Sequence, residues 1–317
     1  MDPAETGIVF MGSPEFAVPS LRALVAAGYR LQQVICQPDR PSGRGGRVQF
    51  GPVKQAALDL GIPVYQPETL KSEEVVAHIA ALEPTAFVVA AYGKIIPRAL
   101  LAIPSRGSVN VHASLLPRWR GASPIEASIL AGDEETGVSI MEVVPKMDAG
   151  DVVNQARLRI TNQHTGGILE AELSAIGADL LVRTMPAWLS RNTVPQPQDE
   201  APVTYCPLIR KEDGALRASM AVCQAERTVR AYNPWPGAFA GYSGGRLTIW
   251  SAHVAAIEHG IRTGALAIVD GFPAIGFKDG WLVLDIVQKP GGKRQGGREF
   301  LNGERGRGAL ATEVQLS

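Results

Sequence analysis

The sequence predicts an α/β protein in which an open, mostly parallel sheet is followed by a small β-barrel, and three observations predict it. Short apolar runs alternate with helical patterns through the first half of the 317 residues. A proline-bearing polar stretch, NTVPQPQDEAPVT, interrupts the chain from Asn192 to Thr204. Beyond it, short strands follow one another between glycine-rich turns. The division is therefore 1–189 as a first domain, 190–204 as a linker and 205–317 as a second domain.

In the first domain GIVFM, LQQVICQ, IPVYQ, AFVVAAY and SVNVHAS read as strands, and PSLRALVAAG, PVKQAALDLG, EEVVAHIAAL and PRALLAI as the helices between them. Strands separated by helices imply parallel βαβ units with helices on both faces. In such sheets ligands sit beyond the carboxyl ends of the strands, which is where Asn110 and His112, near the end of the fifth strand, are expected. Val138 to Val144 reads as a further strand, and Gly166 to Arg191 as a helix with Ile168, Leu169, Leu173, Ile176, Leu180 and Leu181 on its packing face. After the linker, SMAVCQAERTVRA reads as a helix, then AFAGY, RLTIWSAHV, GALAIV, PAIGF and WLVLDIV as strands. A barrel of this size suggests an oligonucleotide-binding fold, although other small barrels share the pattern.

Composition narrows the class. With 45% hydrophobic and 20% charged residues the chain matches an ordinary globular protein. No apolar run approaches the length of a membrane span, and MDPAETG leads straight into GIVFM without a signal or transit pattern, so a cytoplasmic protein is expected. Cys36, Cys206 and Cys223 are too few for a disulfide framework and form no C-x-x-C pair. Net charge is zero, but residues 1–189 hold 16 Lys+Arg against 19 Asp+Glu, while residues 205–317 hold 14 against 10. That excess in the second half hints at a polyanionic partner.

The loop after the first strand, MGSPEF, carries one glycine and a proline where a dinucleotide site needs G-x-G-x-x-G, and no P-loop occurs. His78, His112, His164, His253 and His259 include no H-E-x-x-H, and G-x-S-x-G is absent. What remains is SVNVHASLLPRWRGASP. Successive strand side chains point to opposite faces, so Val109 and Val111 share one face and Asn110 and His112 the other. An amide can donate to a developing oxyanion, an imidazole can move a proton, and a carboxylate can hold the imidazole. That triple suits transfer of a carbonyl carbon without a metal or a covalent enzyme intermediate. Asp148 and Asp151, in the loop after the Val138 strand, are both candidates for the carboxylate.

NVHASLLPRWRGASPI, followed about one βα unit later by MDAGD, resembles the folate-dependent formyltransferases. The resemblance runs through MGSPEFAVPSLRAL, CQPDRPSGRGGR, PVKQAA, VYQPETL and AAYGKIIP, and reaches YNPWPGAF and KPGGKRQGGREFLNG near the end. It implies a Rossmann-like formyltransferase sheet and an OB-like C-terminal domain. It implies Asn110, His112 and Asp148 as the catalytic set, and Ser114, Leu115, Leu116 and Pro117 at the folate. The donor is then 10-formyltetrahydrofolate, with no metal. Within the family the likeness is greatest to enzymes that formylate the free amino group of initiator methionyl-tRNA for translation initiation, by direct attack through a tetrahedral intermediate.

A tRNA partner gives the basic residues a purpose. Arg40, Arg44 and Arg47, in the loop DRPSGRGGRV, are expected at the acceptor end. Lys289, Lys293, Arg294 and Arg298 are expected on the tRNA body. The chain departs from the family pattern at Gly46 and Arg47, where lysines are usual, and at LRASM, Leu216 to Met220, where an acidic-aromatic pair is usual. Formyltransferases acting on sugar nucleotides and formyl-folate hydrolases share the first-domain motif; the arginine loop and the basic C-terminal stretch favour tRNA. A monomer without membrane association is expected.

Overall fold

In a computed structural model of the chain, which describes residues 2–39, 41–42, 47–242, 245–256, 261–305 and Leu316, the first apolar run forms β1 (Gly7–Gly12), buried at every position. A strand covered on both faces has no reason to alternate, so it reads as a continuous hydrophobic run. The chain continues through α1 (Val18–Ala26), β2 (Arg30–Ile35), the paired β3 (Pro41–Ser42) and β4 (Arg47–Val48), α2 (Pro52–Asp59), β5 (Val64–Tyr65), α3 (Glu73–Ala80), β6 (Ala86–Ala90), α4 (Arg98–Leu101) and β7 (Ser108–His112). Then come β8 (Arg120–Gly121), α5 (Pro124–Ala131), β9 (Glu135–Glu142), β10 (Val152–Arg159), α6 (Gly166–Leu189) and β11 (Tyr205–Cys206). Helix starts follow local chemistry. Pro52 opens α2, and the Ser72 hydroxyl accepts from the amide of Val75 ahead of Glu73 and Glu74 in the first turn of α3.

The large sheet has the order β10-β9-β7-β6-β1-β2-β5, parallel from β7 to β5 and antiparallel at β9 and β10. This is the mostly parallel sheet the sequence predicts. Val9, Met11, Ile35, Phe87 and Val89 pack with Val75, Ile79 and Leu100, so α3 and α4 cover one face. Val111 faces α6, which approaches so closely at Gly177 that an added Cβ would lie 2.8 Å from Val111 Cγ1. Asn110 lies opposite Val89, on the other face from Val111, as the strand alternation requires.

Contacts group Met1–Pro124, Glu135–Arg159 and Glu170–Pro207 as one unit, and Ile125–Glu134, Ile160–Leu169 and Leu208–Ser317 as the other. Two features differ from the sequence expectation. Residues 190–204, expected as a linker, and the first residues of the expected second domain, up to Pro207, group with the first unit. Gln196 bridges Val152, and β11 pairs in parallel with β8, so polar side chains and backbone tie this stretch into the first unit. The 125–134 and 160–169 segments join the second unit because α7 (Val222–Ala231) holds them: Arg227 Nη1 donates to the Ala131 carbonyl at 3.4 Å and Arg230 Nη1 to that of His164 at 3.2 Å.

The second unit continues with β12 (Ala238–Tyr242), β13 (Gly245–Val254), β14 (Leu266–Val269), β15 (Phe272–Phe277), β16 (Gly280–Gln288), β17 (Arg294–Gly296) and α8 (Gly297–Arg305). These strands pair antiparallel in the order β12-β13-β16-β15-β14, and β17 extends the β15 side of β16. Among the described residues the pairings form an open path rather than a closed ring. Ala225 and Val229 of α7 and Phe300 of α8 share a core with Leu247, Ile249, Ile275, Phe277, Leu282, Leu284 and Val287. No helix among the described residues is long and apolar enough to cross a membrane.

Burial, with the Asp39 charge adding to it, pushes the Cys36 thiol up to about 11, whereas Cys223 is exposed. The thiolate is the reactive form. Titration with a disulfide reagent at pH 8 is therefore expected to give one fast equivalent, mapping to Cys223 by mass spectrometry, with Cys36 and the buried Cys206 slow. A second fast equivalent at Cys36 would contradict the packing at the end of β2.

Candidate active site

Strand β7 ends on His112, which is 5% exposed, with Asn110 half-buried one pleat earlier on the same face. The imidazole is held from both sides. His112 Nε2 bonds to the Trp119 carbonyl at 3.0 Å, and Nδ1 lies 3.8 Å from Asp148 Oδ2. A carbonyl oxygen can only accept, so Nε2 is the donor. The Nδ1 separation is an ion-pair distance rather than a hydrogen bond.

Asp148 sits in the turn joining β9 to β10, in the left-handed backbone region with φ of 48°. A non-glycine residue there is strained and persists only when its surroundings fix it. Its surroundings do so at three atoms. The amide of Gly121 donates to Asp148 Oδ2 at 2.9 Å, and Gln198 Nε2 donates to the carbonyls of Asp148 and Gly150 at 2.9 and 2.7 Å. Between the two aspartates left open by spacing, the structure brings Asp148 to His112; the Asp151 carbonyl instead accepts from the amide of Glu142.

The loop after β7 is built inward. Ser114 is fully buried and its hydroxyl donates to the Arg118 carbonyl at 2.6 Å. Ser139, directly across from His112 in β9, donates to the Ser114 carbonyl at 2.6 Å and accepts from the amide of Leu116 at 3.1 Å. Gln155 Nε2 donates to the Leu116 carbonyl at 3.0 Å and to Ser139 Oγ at 2.8 Å. Of the four residues expected at the folate, Ser114 and Leu116 are buried, with the Ser114 hydroxyl and the Leu116 backbone hydrogen-bonded within the protein, and Leu115 and Pro117 are half-buried. The physical reason is that a buried hydroxyl and buried backbone groups must find partners, and here they find them inside the protein.

Arg120 is wholly buried and offers Nε and Nη2 to Gln198 Oε1 at 3.0 and 2.9 Å, and Nη2 to Glu200 Oε1 at 3.0 Å. The hydrogen bond from Arg120, and a second from Lys146, hold the Glu200 carboxyl below its usual range. At the next residue the chains almost touch. Gly121 has φ of 122°, and a Cβ there would lie 2.2 Å from the Cys206 carbonyl oxygen. Only glycine fits. Arg120, Ser139, Gln155, Gln198 and Glu200 carry no motif and were not among the residues singled out from sequence; the R-G of WRGASP was the one available signal.

Of the residues expected on RNA, Arg40 and Arg44 lie outside the described residues, and for Arg47 only the backbone is described. The base of their loop is anchored. Asp39 pairs with Lys54 and accepts from Gln66, and these interactions, that with Lys54 first, hold its carboxyl below the usual range. In the second unit Lys293, Arg294 and Arg298 are exposed and Lys289 half-buried. The Arg294 guanidinium stacks 3.6 Å above the Trp250 ring, Arg298 lies 4.5 Å from the Phe272 ring and Lys289 5.0 Å from that of Phe300. Among the described residues no group of three or more His, Cys, Asp or Glu is placed to hold a metal ion.

A buried imidazole between a carbonyl and a carboxylate, with an amide on the same face at the carboxyl edge of a mostly parallel sheet, offers the hydrogen-bonding groups that transfer of a carbonyl carbon calls for. The chain belongs to the formyltransferase family: the formyl transferase model matches residues 7–185 and the formyl transferase C-terminal domain model residues 208–305. Methionyl-tRNA formyltransferase of Methylobacillus flagellatus is 45% identical over 93% of this chain and 96% of its own length. The enzyme of that name from Roseiflexus castenholzii is 47% identical over 90% and 92%. Among solved structures, an N-formyltransferase from Helicobacter canadensis in complex with folinic acid and dTDP-3-aminofucose superposes with a TM-score of 0.65 at 15% identity, covering 92% of this chain and 100% of that one. HypX from Aquifex aeolicus with tetrahydrofolic acid gives 0.62 at 17% identity, covering 94% of this chain and 47% of that one. These two share the fold.

Ser139→Ala leaves the Leu116 amide and the Ser114 carbonyl short of a buried partner. It should lower unfolding free energy by ~1–3 kcal/mol in urea titrations, the usual cost of orphaned buried groups. An unchanged midpoint would show that the loop after β7 does not depend on Ser139.

Proposed function

We propose that this protein transfers the formyl group of 10-formyltetrahydrofolate to the α-amino group of initiator methionyl-tRNA. The observation that carries the acceptor is the likeness, 41% to 47% identical along nearly the whole chain, to proteins named methionyl-tRNA formyltransferase. A shared sheet alone would carry no acceptor. The reading needs one copy of the chain, acting in the cytoplasm where charged tRNA is found.

Each residue then has a task. The amine must attack unprotonated, the formyl oxygen gathers negative charge as the new carbon–nitrogen bond forms, and the folate nitrogen leaves as it gains a proton. Asn110 donates from its amide to that oxygen. His112 polarises the same centre and moves the proton through Nδ1, since Nε2 is committed to the Trp119 carbonyl. Asp148 orients the ring from the Nδ1 side. Ser114, Leu115, Leu116 and Pro117 line the folate side, and the folate supplies the formyl carbon at the formate oxidation level, so its transfer from one nitrogen to another needs no oxidant or reductant.

In the second unit, Lys289, Lys293, Arg294 and Arg298 hold the tRNA body, and Arg40, Arg44 and Arg47 approach its acceptor end. Arginine stacked on an aromatic ring loses less freedom when it meets a phosphate, because its plane is already oriented. The division of labour is chemistry on the first unit and RNA affinity on the second.

Label from the formyl carbon is expected in N-formylmethionyl ester when initiator methionyl-tRNA is the acceptor, with far less on elongator methionyl-tRNA and none on an amino sugar nucleotide. Sugar formylation at a higher kcat/KM would overturn the reading. Asn110→Ala, His112→Ala and Asp148→Asn should each fold and lose on the order of 10²-fold or more in kcat; near-normal turnover in any one removes that residue from the mechanism. Replacing Lys293, Arg294 and Arg298 together by alanine should weaken tRNA binding, flatten the slope of log affinity against log salt by up to about 0.9 per lost contact, and leave folate affinity intact. An unchanged slope in filter-binding titrations would detach this surface from tRNA.

A further inference from the structure

We infer that Gln198 is a positioning residue for formyl transfer, and that the stretch from Gln196 to Cys206 is a strap that sets both partners of His112. The inference rests on the catalytic reading of His112 and Asp148 above. Neither side of the imidazole is fixed by its own strand. The Trp119 carbonyl that receives Nε2 belongs to a residue in the left-handed region, φ 61°, whose amide donates to Thr204 Oγ1 at 2.8 Å. The next amide, of Arg120, donates to the Thr204 carbonyl at 2.9 Å. On the other side, the left-handed backbone of Asp148 is held by the side-chain amide of Gln198. One segment thus grips both walls of the site.

The chemistry of Gln198 makes it the junction. Its amide nitrogen donates two hydrogen bonds, to the carbonyls of Asp148 and Gly150, while its oxygen accepts two from Arg120. No other uncharged side chain of its length donates and accepts at one end in this way. Arg120 in turn is buried and charged, so it must keep its acceptors, and the neighbouring Glu200 supplies the anion. A buried guanidinium with Gln198 and Glu200 as partners cannot slide without orphaning a charge. Strain at Asp148 is therefore stabilised by a group that has little freedom to move. A catalytic carboxylate displaced by about 1 Å can cost on the order of 10²-fold in rate.

The test is a double-mutant cycle in steady-state formyl transfer to initiator methionyl-tRNA. Gln198→Ala should lower kcat by about 10-fold, with KM for both substrates within about twofold, because the loss falls on orientation rather than binding. Gln198→Glu keeps an acceptor for Arg120 but turns an oxygen toward the two carbonyls. It should stay folded and be at least as impaired, whereas wild-type turnover in it would show that Gln198 serves only to anchor Arg120. In an Asp148→Asn background, adding Gln198→Ala should cost less than about threefold, since the residue it positions is already disabled. The strap role is overturned if Gln198→Ala has normal kcat, or if its loss multiplies in full with that of Asp148→Asn. Normal turnover in Asp148→Asn alone overturns the underlying catalytic reading, and the strap role with it.

Discussion

The hydrogen bond from His112 Nε2 to the Trp119 carbonyl, with Asp148 facing the other ring nitrogen, is the constraint on which the rest of the first unit depends. It fixes the tautomer of the neutral ring, with Nε2 donating to the carbonyl and Nδ1 turned to Asp148. What meets at this ring comes from several segments of the chain: β7 supplies His112, the loop directly after it supplies Trp119, the turn between β9 and β10 supplies Asp148, and residues 196–206 tie the last two. A parallel sheet is suited to this, because its strands end along one edge and the loops that follow them converge there. The buried strands β1 and β6 make that edge rigid, so precision at the ring is inherited from a core that contains no catalytic group.

Much of this was legible in the sequence. Continuous apolar runs announced the central strands, and the alternation of Val109, Asn110, Val111 and His112 gave the face that Asn110 and His112 share. Asp148 could not be separated from Asp151 by spacing, because a turn bends the chain through angles that linear distance does not encode; the left-handed backbone at Asp148 is what aims it. Strand β10 carries VVNQARLR at a sheet edge, with half its surface polar, so no hydrophobic periodicity marked it. The 192–207 stretch has the composition of a linker, yet it is tied into the first unit, because Gln196, Gln198, Glu200 and Thr204 replace apolar contacts with hydrogen bonds. Polar pinning leaves no pattern in composition. The loop after β7 shows the same limit: nothing in SLLP distinguishes the serine whose hydroxyl bonds within the loop from the half-buried Leu115 and Pro117.

The second unit solves a different problem. Its core is supplied by alternate residues of antiparallel strands capped by α7 and α8, which frees the outer face of β17 and the start of α8 for charge. Arg294 on Trp250 and Arg298 on Phe272 are cations held over ring faces, a geometry that orders the side chain while leaving its hydrogen-bond donors unspent. The charge excess read from composition thus acquires a place on this surface.

The measurement that tests the ring geometry most directly is the ¹⁵N spectrum of histidine-labelled protein, with His112 assigned by comparison with His112→Gln. The account predicts that neutral His112 carries its proton on Nε2, donated to the Trp119 carbonyl, with Nδ1 bare. A neutral His112 protonated on Nδ1, with Nε2 bare, would contradict it.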